Sequence, residues 1–304
     1  MTTSSYDSCL LFNNNNDTFG IVGLQTDDTL FVANKRFVEL EKQNLLHAGF
    51  EAKPCEILTN QNPLTFNGSN ITIDANSINI SQTTQCEKLE EFAAQAINPT
   101  LHDFKALNER IKWQIKHKHR GLKFTKLDFD SVQIVVFADP SFANNFDYSS
   151  QIGYVIVLKD ENNANVIHWS SVKCKRVTRS VLASELYAMT LGFDVGAVIK
   201  LTFQCILKRE IPLVLCTDSH SLYECLVKLG STSEKRLMID IMCIRQSYER
   251  REIAQIIWID GNSNPADAMT KSKPCPALRK LIETNKIDVT AYNWVERIPT
   301  KNDD

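Results

Sequence analysis

Four carboxylates carry the strongest chemical signal in the chain. Asp139 follows an apolar run at 132–137, and Asp218 follows a second at 213–216. Glu185 lies in Leu182-Ala-Ser-Glu-Leu-Tyr-Ala188, and Asp267 closes Asn264-Pro-Ala-Asp267. Taken singly, each has an ordinary reading: an Asp after a strand turns or caps the chain, and a mid-helix Glu is solvated. Together they mean more. If the two apolar runs are neighbouring parallel strands, their C-terminal ends lie together, where ligand sites of open α/β sheets gather. A helix crossing that edge can aim Glu185 at the same point. Four acids meeting there cannot all stay ionised without cations. Mg²⁺, a hard ion that takes oxygen ligands, suits them, with Mn²⁺ as a substitute. Two such ions about 3.5–4 Å apart would activate water and stabilise the leaving oxygen of a phosphodiester.

The cations near these acids point to a polyanion. Lys173, Lys175, Arg176 and Arg179 precede the helix of Glu185. Such residues hold backbone phosphates without reading sequence; the plain alternative is a solvated loop. The formal charge of −2 hides an asymmetry: residues 1–100 carry 5 Lys/Arg against 12 Asp/Glu. Residues 105–126 hold eight basic side chains and one acid, Glu109. Within that stretch Lys112 and Lys116 are candidate nucleic-acid contacts, weighed against a solvated helix face.

The elements that must position these groups are legible in the periodicity. From 131 onward the pattern predicts strands at 132–137, 152–158 and 166–169, a helix at 180–198, a strand at 213–216, helices at 219–229 and 234–251, and a strand at 253–259. A short helical stretch opens at Asn264, and another helix follows Pro276. The order βββαβαβα implies an antiparallel meander continued by alternating helix and strand: a mixed five-stranded sheet flanked by helices. Earlier in the chain, 19–34 reads as a hairpin tipped by Thr26-Asp27-Asp28, 35–49 as an amphipathic helix, and 57–82 as short β pieces. Residues 101–119 read as a helix opened by Asn98-Pro99-Thr100.

With 304 residues the chain has room for about two domains and needs no covalent staple. No uninterrupted run of ~18 apolar residues predicts a membrane span. The N-terminus has neither a basic region nor an apolar core, so secretion is not expected. Nine scattered cysteines without a Cys-x-x-Cys pair fit reduced thiols in an intracellular protein. His117 and His119 lack ligand spacing, and His220 is read as capping or solvated. Cys216, Cys225, Trp169 and Trp258 are read as core.

Five ordered blocks carry a resemblance: ADPSFANN at 138–145, SQIGYVIVL at 150–158, HWSSVKCKRVTRSVLASELYAM at 168–189, TDSHSLYECL at 217–226 and NPADAMTK at 264–271. Together they resemble the ribonuclease H domain of copia-type LTR retrotransposon polyproteins, with fungal elements the nearest in pattern. The resemblance implies an α/β, ribonuclease H-like fold. It also implies Mg²⁺-dependent cleavage of RNA in RNA–DNA hybrids by two ions held on Asp139, Glu185, Asp218 and Asp267. Two departures stand out: no His precedes Asp267 at 259–264, and Pro140 follows Asp139, where it could shift the strand end.

FGIVGLQTDDTLFV at 19–32 resembles the palm hairpin of the reverse transcriptase in the same polyproteins, making Asp27 and Asp28 metal ligands by motif. The first catalytic Asp of that enzyme would lie upstream of this chain, and 82–99 is short beside relatives, so nucleotide addition by this chain alone is not expected. The implied layout is a palm remnant at 1–100, a basic helix and connection at 101–130, a ribonuclease H-like domain at 131–275, and a C-terminal helix and tail at 276–304. Expected partners are RNA–DNA hybrid or other nucleic acid and other parts of the polyprotein, in the cytoplasm (a retrotransposon particle) or nucleus, without a membrane. The alternative is a catalytically inactive fragment that binds nucleic acid or has been repurposed.

Overall fold

The structure is a computed structural model of the 304-residue chain, describing all residues except 16, 27, 52, 89–99, 233 and 290–304. It forms two compact units, Met1–Lys126 and Leu127–Asp304.

In the first unit, β1 (Thr2–Thr3), β2 (Leu10–Asn14), β3 (Phe19–Gln25) and β4 (Asp28–Ala33) make an antiparallel sheet in chain order. The expected hairpin is β3–β4: Gln25 pairs with Asp28, and Thr26 turns the chain at φ 53°. Helix α1 (Lys35–His47) starts where the Asn34 side chain accepts the amide of Phe37. A second antiparallel sheet joins β5 (Leu64–Phe66), β6 (Ser69–Ile73), β7 (Ser77–Ser81) and β8 (Gly121–Thr125). Between β7 and β8 lie α2 (Thr83–Glu87) and α3 (Leu101–Lys116). Thr100 and Asp103 cap α3 reciprocally. The α3–β8 stretch, expected as a connection, thus folds with the first unit through the β7–β8 ladder.

The second unit is built on β9 (Gln133–Ser141), β10 (Gln151–Lys159), β11 (Ala164–Lys173), β12 (Leu213–Thr217) and β13 (Gln255–Trp258), in the order β11-β10-β9-β12-β13. Strand β10 runs antiparallel to β9 and β11, while β12 is parallel to β9 and β13. This mixed sheet, with helices on its faces, is the ribonuclease H-like fold expected from the sequence. Its central strands β9 and β12 are buried almost throughout, which is why they read as continuous apolar runs.

Helix α4 (Val181–Leu207) covers β9, β10 and β12. Its approach is close because Gly192 and Gly196 face Val136: a Cβ at either would lie 2.8 or 2.7 Å from a Val136 methyl. The helix extends beyond the expected 198 because Ile199, Thr202 and Ile206 continue the buried stripe at three- and four-residue steps. By length and composition alone α4 could cross a bilayer, which the test for uninterrupted apolar runs does not detect. In the fold it is instead the core helix over the sheet.

The remaining helices are α5 (His220–Val227), α6 (Met238–Glu249), α7 (Asp267–Thr270) and α8 (Pro276–Thr284). Asn285, buried at the end of α8, donates to Ala164 O and Asn165 Oδ1 and so ties α8 to β11. Pro140 does not end β9: pairing with β10 runs on to Ser141–Gln151. The β9–β12 ladder stops at Phe137, so the missing N–H of Pro140 interrupts no bond on that side. Trp258 packs against the core, but Trp169, also expected there, is 52% exposed. It lies on the edge strand β11, on the face opposite α4, and little covers it.

Candidate active site

Asp139 stands near the end of β9 and Asp218 directly after β12, at the C-terminal ends of adjacent parallel strands. Asp267 opens α7. Carboxylate oxygens of these three lie within 4.8 Å of one another. Two features bring α7 to this edge. Gly153 pairs with Asp139 across the ladder, and a Cβ there would meet Met269 Cβ at 2.5 Å and Thr270 Cγ2 at 2.7 Å. Asn264, fully buried, donates from Nδ2 to Ala138 O at 3.0 Å and accepts the amide of Ala266 at 3.0 Å. The turn that presents Asp267 is thereby fastened to the residue before Asp139.

Glu185 lies outside that group of three but inside its field. Burial, then Asp218 and Asp139, push its acid up to about 8. Burial also raises Asp139 to about 6; a Thr270 hydrogen bond and Lys271 oppose the rise, while Asp267 and Asp218 add to it. Asp218 is raised too, chiefly by burial and by Asp267. Asp139 is 3% exposed.

Sequence reasoning passed over Lys271 and Thr270. Lys271 Nζ lies 2.7 Å from Asp267 and 3.3 Å from Asp139, and the Thr270 hydroxyl donates to Asp139. Burial disfavours the ammonium, yet Asp267 and Asp139 hold its pKa above the ordinary value. Both residues fall in the quoted block 264–271, but only their places one turn after Asp267 hinted at this reach. One ammonium cannot neutralise four acids, and the donors are all hard oxygens. The cluster therefore fits a divalent cation such as Mg²⁺.

The expected phosphate contacts fall into two groups. Lys173 ends β11, and Lys175, Arg176 and Arg179 follow it before α4; all four are exposed. Lys173 pairs with Asp147, and Arg176 pairs with Asp240 at 3.2 Å and lies over the Tyr187 ring. On α3, Lys112 and Lys116 are exposed, with Glu109 3.6 Å from Lys112. Asp28 is exposed at the start of β4 and joins no metal-sized group among the described residues; Asp27 lies outside them. His220 sits 3.7 Å from Glu224 and edge-on to Trp258. All nine cysteines are free, and burial pushes the Cys216 thiol up, as expected of a core residue.

The chain matches no family model. It is distantly homologous to copia-type Gag-Pol polyproteins of Saccharomyces cerevisiae: those of transposons Ty1-JR2 and Ty1-MR1 are each 28% identical over 183 residues. That region is 59% of this chain and 10% of each polyprotein, so the chain spans a small part of these relatives. Among solved structures it resembles RNase H1 from the archaeon Halobacterium salinarum, at 15% identity and TM-score 0.35, over 49% of this chain and 98% of that one. It also resembles LC11-RNase H1 in complex with an RNA/DNA hybrid, at 18% identity and TM-score 0.36, over 45% and 93%. The protease-reverse transcriptase of prototype foamy virus matches at 14% identity and TM-score 0.28, over 89% of this chain and 40% of that one.

Proposed function

We propose that the second unit is a metal-dependent ribonuclease H, cutting RNA in RNA–DNA hybrids. The observation that carries this reading is the convergence of Asp139, Asp218 and Asp267, from three distant parts of the chain, within 4.8 Å at the C-terminal edge of the mixed sheet. The hybrid as substrate rests on the five sequence blocks and the distant Gag-Pol homology. Asp139, Asp218 and Asp267 would hold the cations, with Glu185 as a further carboxylate beside them. When bound, Mg²⁺ or Mn²⁺ supplies neutralisation of phosphate charge and activation of the attacking water. Asn264 keeps Asp267 registered to β9. Lys175 and Arg179, exposed just before α4, are read as contacts for backbone phosphates. The first unit is read as a reverse-transcriptase palm remnant whose hairpin carries Asp27 and Asp28, without nucleotide addition by this chain alone. The working place is inside the cell, beside other polyprotein parts.

The test is cleavage of an end-labelled RNA–DNA hybrid by the purified chain in Mg²⁺ or Mn²⁺. Cleavage is expected, and Asp139→Asn should abolish it while leaving the circular dichroism unchanged. Cleavage retained by that variant would overturn the assignment. A second reading is favoured by Lys271, whose ammonium already sits on two of the acids: a fragment that binds nucleic acid without cutting it. Hybrid binding with no cleavage in either metal would select that reading.

A further inference from the structure

The loop 142–149, which follows β9 only three residues after Asp139, exposes aromatic rings on a tightly held backbone. Phe146 is 105% exposed and Tyr148 82%, with Phe142 partly so. Rings left in water add nothing to the fold, and a loop of this kind is commonly mobile. Here it is fastened. Ala143 donates to Ser150 Oγ at 3.1 Å, Tyr148 to Asn145 O at 2.8 Å, and the Asn145 side chain to Ser149 Oγ at 3.1 Å. Ala143 and Tyr148 take left-handed backbone at φ 50° and 58°, a conformation that disfavours side-chain-bearing residues and persists only where its surroundings hold it.

The same loop, together with Ser150 that follows it, is bonded to the basic segment 173–179. The Ser150 and Thr178 hydroxyls are 2.6 Å apart, Cys174 donates to Ser150 O at 2.8 Å, and Asp147 pairs with Lys173. Exposed rings and exposed cations, Lys175 and Arg179 among them, thus belong to one bonded surface at the end of the strand that carries Asp139. Aromatic faces interleaved with cations match a single nucleic-acid strand, whose unpaired bases offer π faces and whose backbone offers phosphates. An apolar protein surface would not use the cations. A paired duplex offers base faces only at its ends.

We infer that loop 142–149, with segment 173–179, is a platform for single-stranded nucleic acid, stacking an unpaired base on Phe146 and Tyr148 next to the acidic cluster. This deepens the nuclease reading and rests on it for the substrate class.

The test compares a blunt RNA–DNA hybrid with the same hybrid carrying a single-stranded RNA overhang. Affinities are read by fluorescence anisotropy with Ca²⁺ in place of Mg²⁺, and stacking by quenching of 2-aminopurine in the overhang. The wild-type chain should bind the overhang substrate about tenfold more tightly and quench the probe. A Phe146→Ala/Tyr148→Ala double variant, its fold checked by circular dichroism, should lose most of that ratio and the quenching. Equal affinities in the wild type, a ratio that survives the double substitution, or no binding of either substrate would overturn the platform. An unchanged ratio with loss of self-association in sedimentation would assign the rings to a second copy of the chain and overturn it equally. Cleavage of the blunt hybrid, measured in parallel, reports on the nuclease reading independently of the ratio.

Discussion

Lys271 Nζ stands 3.3 Å from Asp139 Oδ1, joining the residue that follows the site's last short helix to the first acid of its central strand. Because it also pairs with Asp267 at 2.7 Å, Lys271 is a counter-ion within the acidic cluster and shares its ligand atoms with any incoming cation. Lys271→Met should therefore act in two directions. Without metal the variant should be less stable by about 1 kcal/mol, a modest figure because the lysine is half exposed. Its Mg²⁺ affinity should rise severalfold, since a competing positive charge is gone. Chemical denaturation in EDTA and calorimetric Mg²⁺ titration read the two effects, and a loss of Mg²⁺ affinity would show that the lysine aids the cation.

The raised acids give the metal-free protein a defined pH dependence. Asp139 keeps its proton to about 6 and Glu185 to about 8, against ordinary values of 3.8 and 4.5. Between about pH 5 and 8 these two groups hold more protons in the folded chain than in the unfolded one, so their contribution to stability falls as pH rises. The carboxyls of Asp147, Asp103 and Asp74 are held below the ordinary range by hydrogen bonds, so their contribution is lost only in more acid solution. The decline from pH 5 to 8 in EDTA should be on the order of 3 kcal/mol. Mg²⁺ should restore more stability at pH 8 than at pH 6, because protons compete with it at lower pH. A melting temperature in EDTA that rises across this window would contradict the assignment, and Glu185→Gln should flatten the curve.

Asp139→Asn tests whether the acids repel one another. Asn keeps the shape of a side chain that is 3% exposed but removes a charge held in an unfavourable place. The variant should match or exceed the wild type in metal-free stability, by up to about 2 kcal/mol, and should lose most of the stabilisation that Mg²⁺ gives. Thermal melts with and without Mg²⁺ measure both. Marked destabilisation in EDTA would mean that the bonds from Thr270 and Lys271 outweigh the repulsion.

Much of this site was legible because strand ends announce themselves. The runs before Asp139 and Asp218 are apolar at nearly every position, as central strands must be, and the parallel pairing of β9 with β12, a condition of the sequence argument, is present in the sheet. What failed was what depends on reach or on coverage by distant segments. Nothing local marks Lys271 as a partner of a residue 132 positions away. Spacing alone also could not place Glu185 outside the 4.8 Å group of aspartates. Trp169 read as core because it sits in an apolar strand, but whether the outer face of an edge strand is covered is decided elsewhere in the chain. Strands β1 and β2 went unread because Thr2–Thr3 and the Asn-rich Leu10–Asn14 show little alternation and gain their structure from pairing, β1 with β2 and β2 with β3. Strand β8 pairs with β7 through a ladder that no local signal reveals.

Gly153 is where the fold and the site are most tightly coupled. Its missing side chain lets α7 lie against β10 directly opposite Asp139, with Met269 Cβ 2.5 Å and Thr270 Cγ2 2.7 Å from where a Cβ would be. Gly153→Ala must displace α7, because the nearer of those atoms is itself a Cβ with little freedom to move. Overpacking of this kind destabilises by about 1–3 kcal/mol. The same shift moves Asp267, Thr270 and Lys271 together, so Mg²⁺ affinity should fall even at temperatures where the variant is fully folded. Melting curves and Mg²⁺ titration of the folded variant separate the two effects. If stability drops while Mg²⁺ affinity holds, α7 packs on Gly153 without setting the position of Asp267.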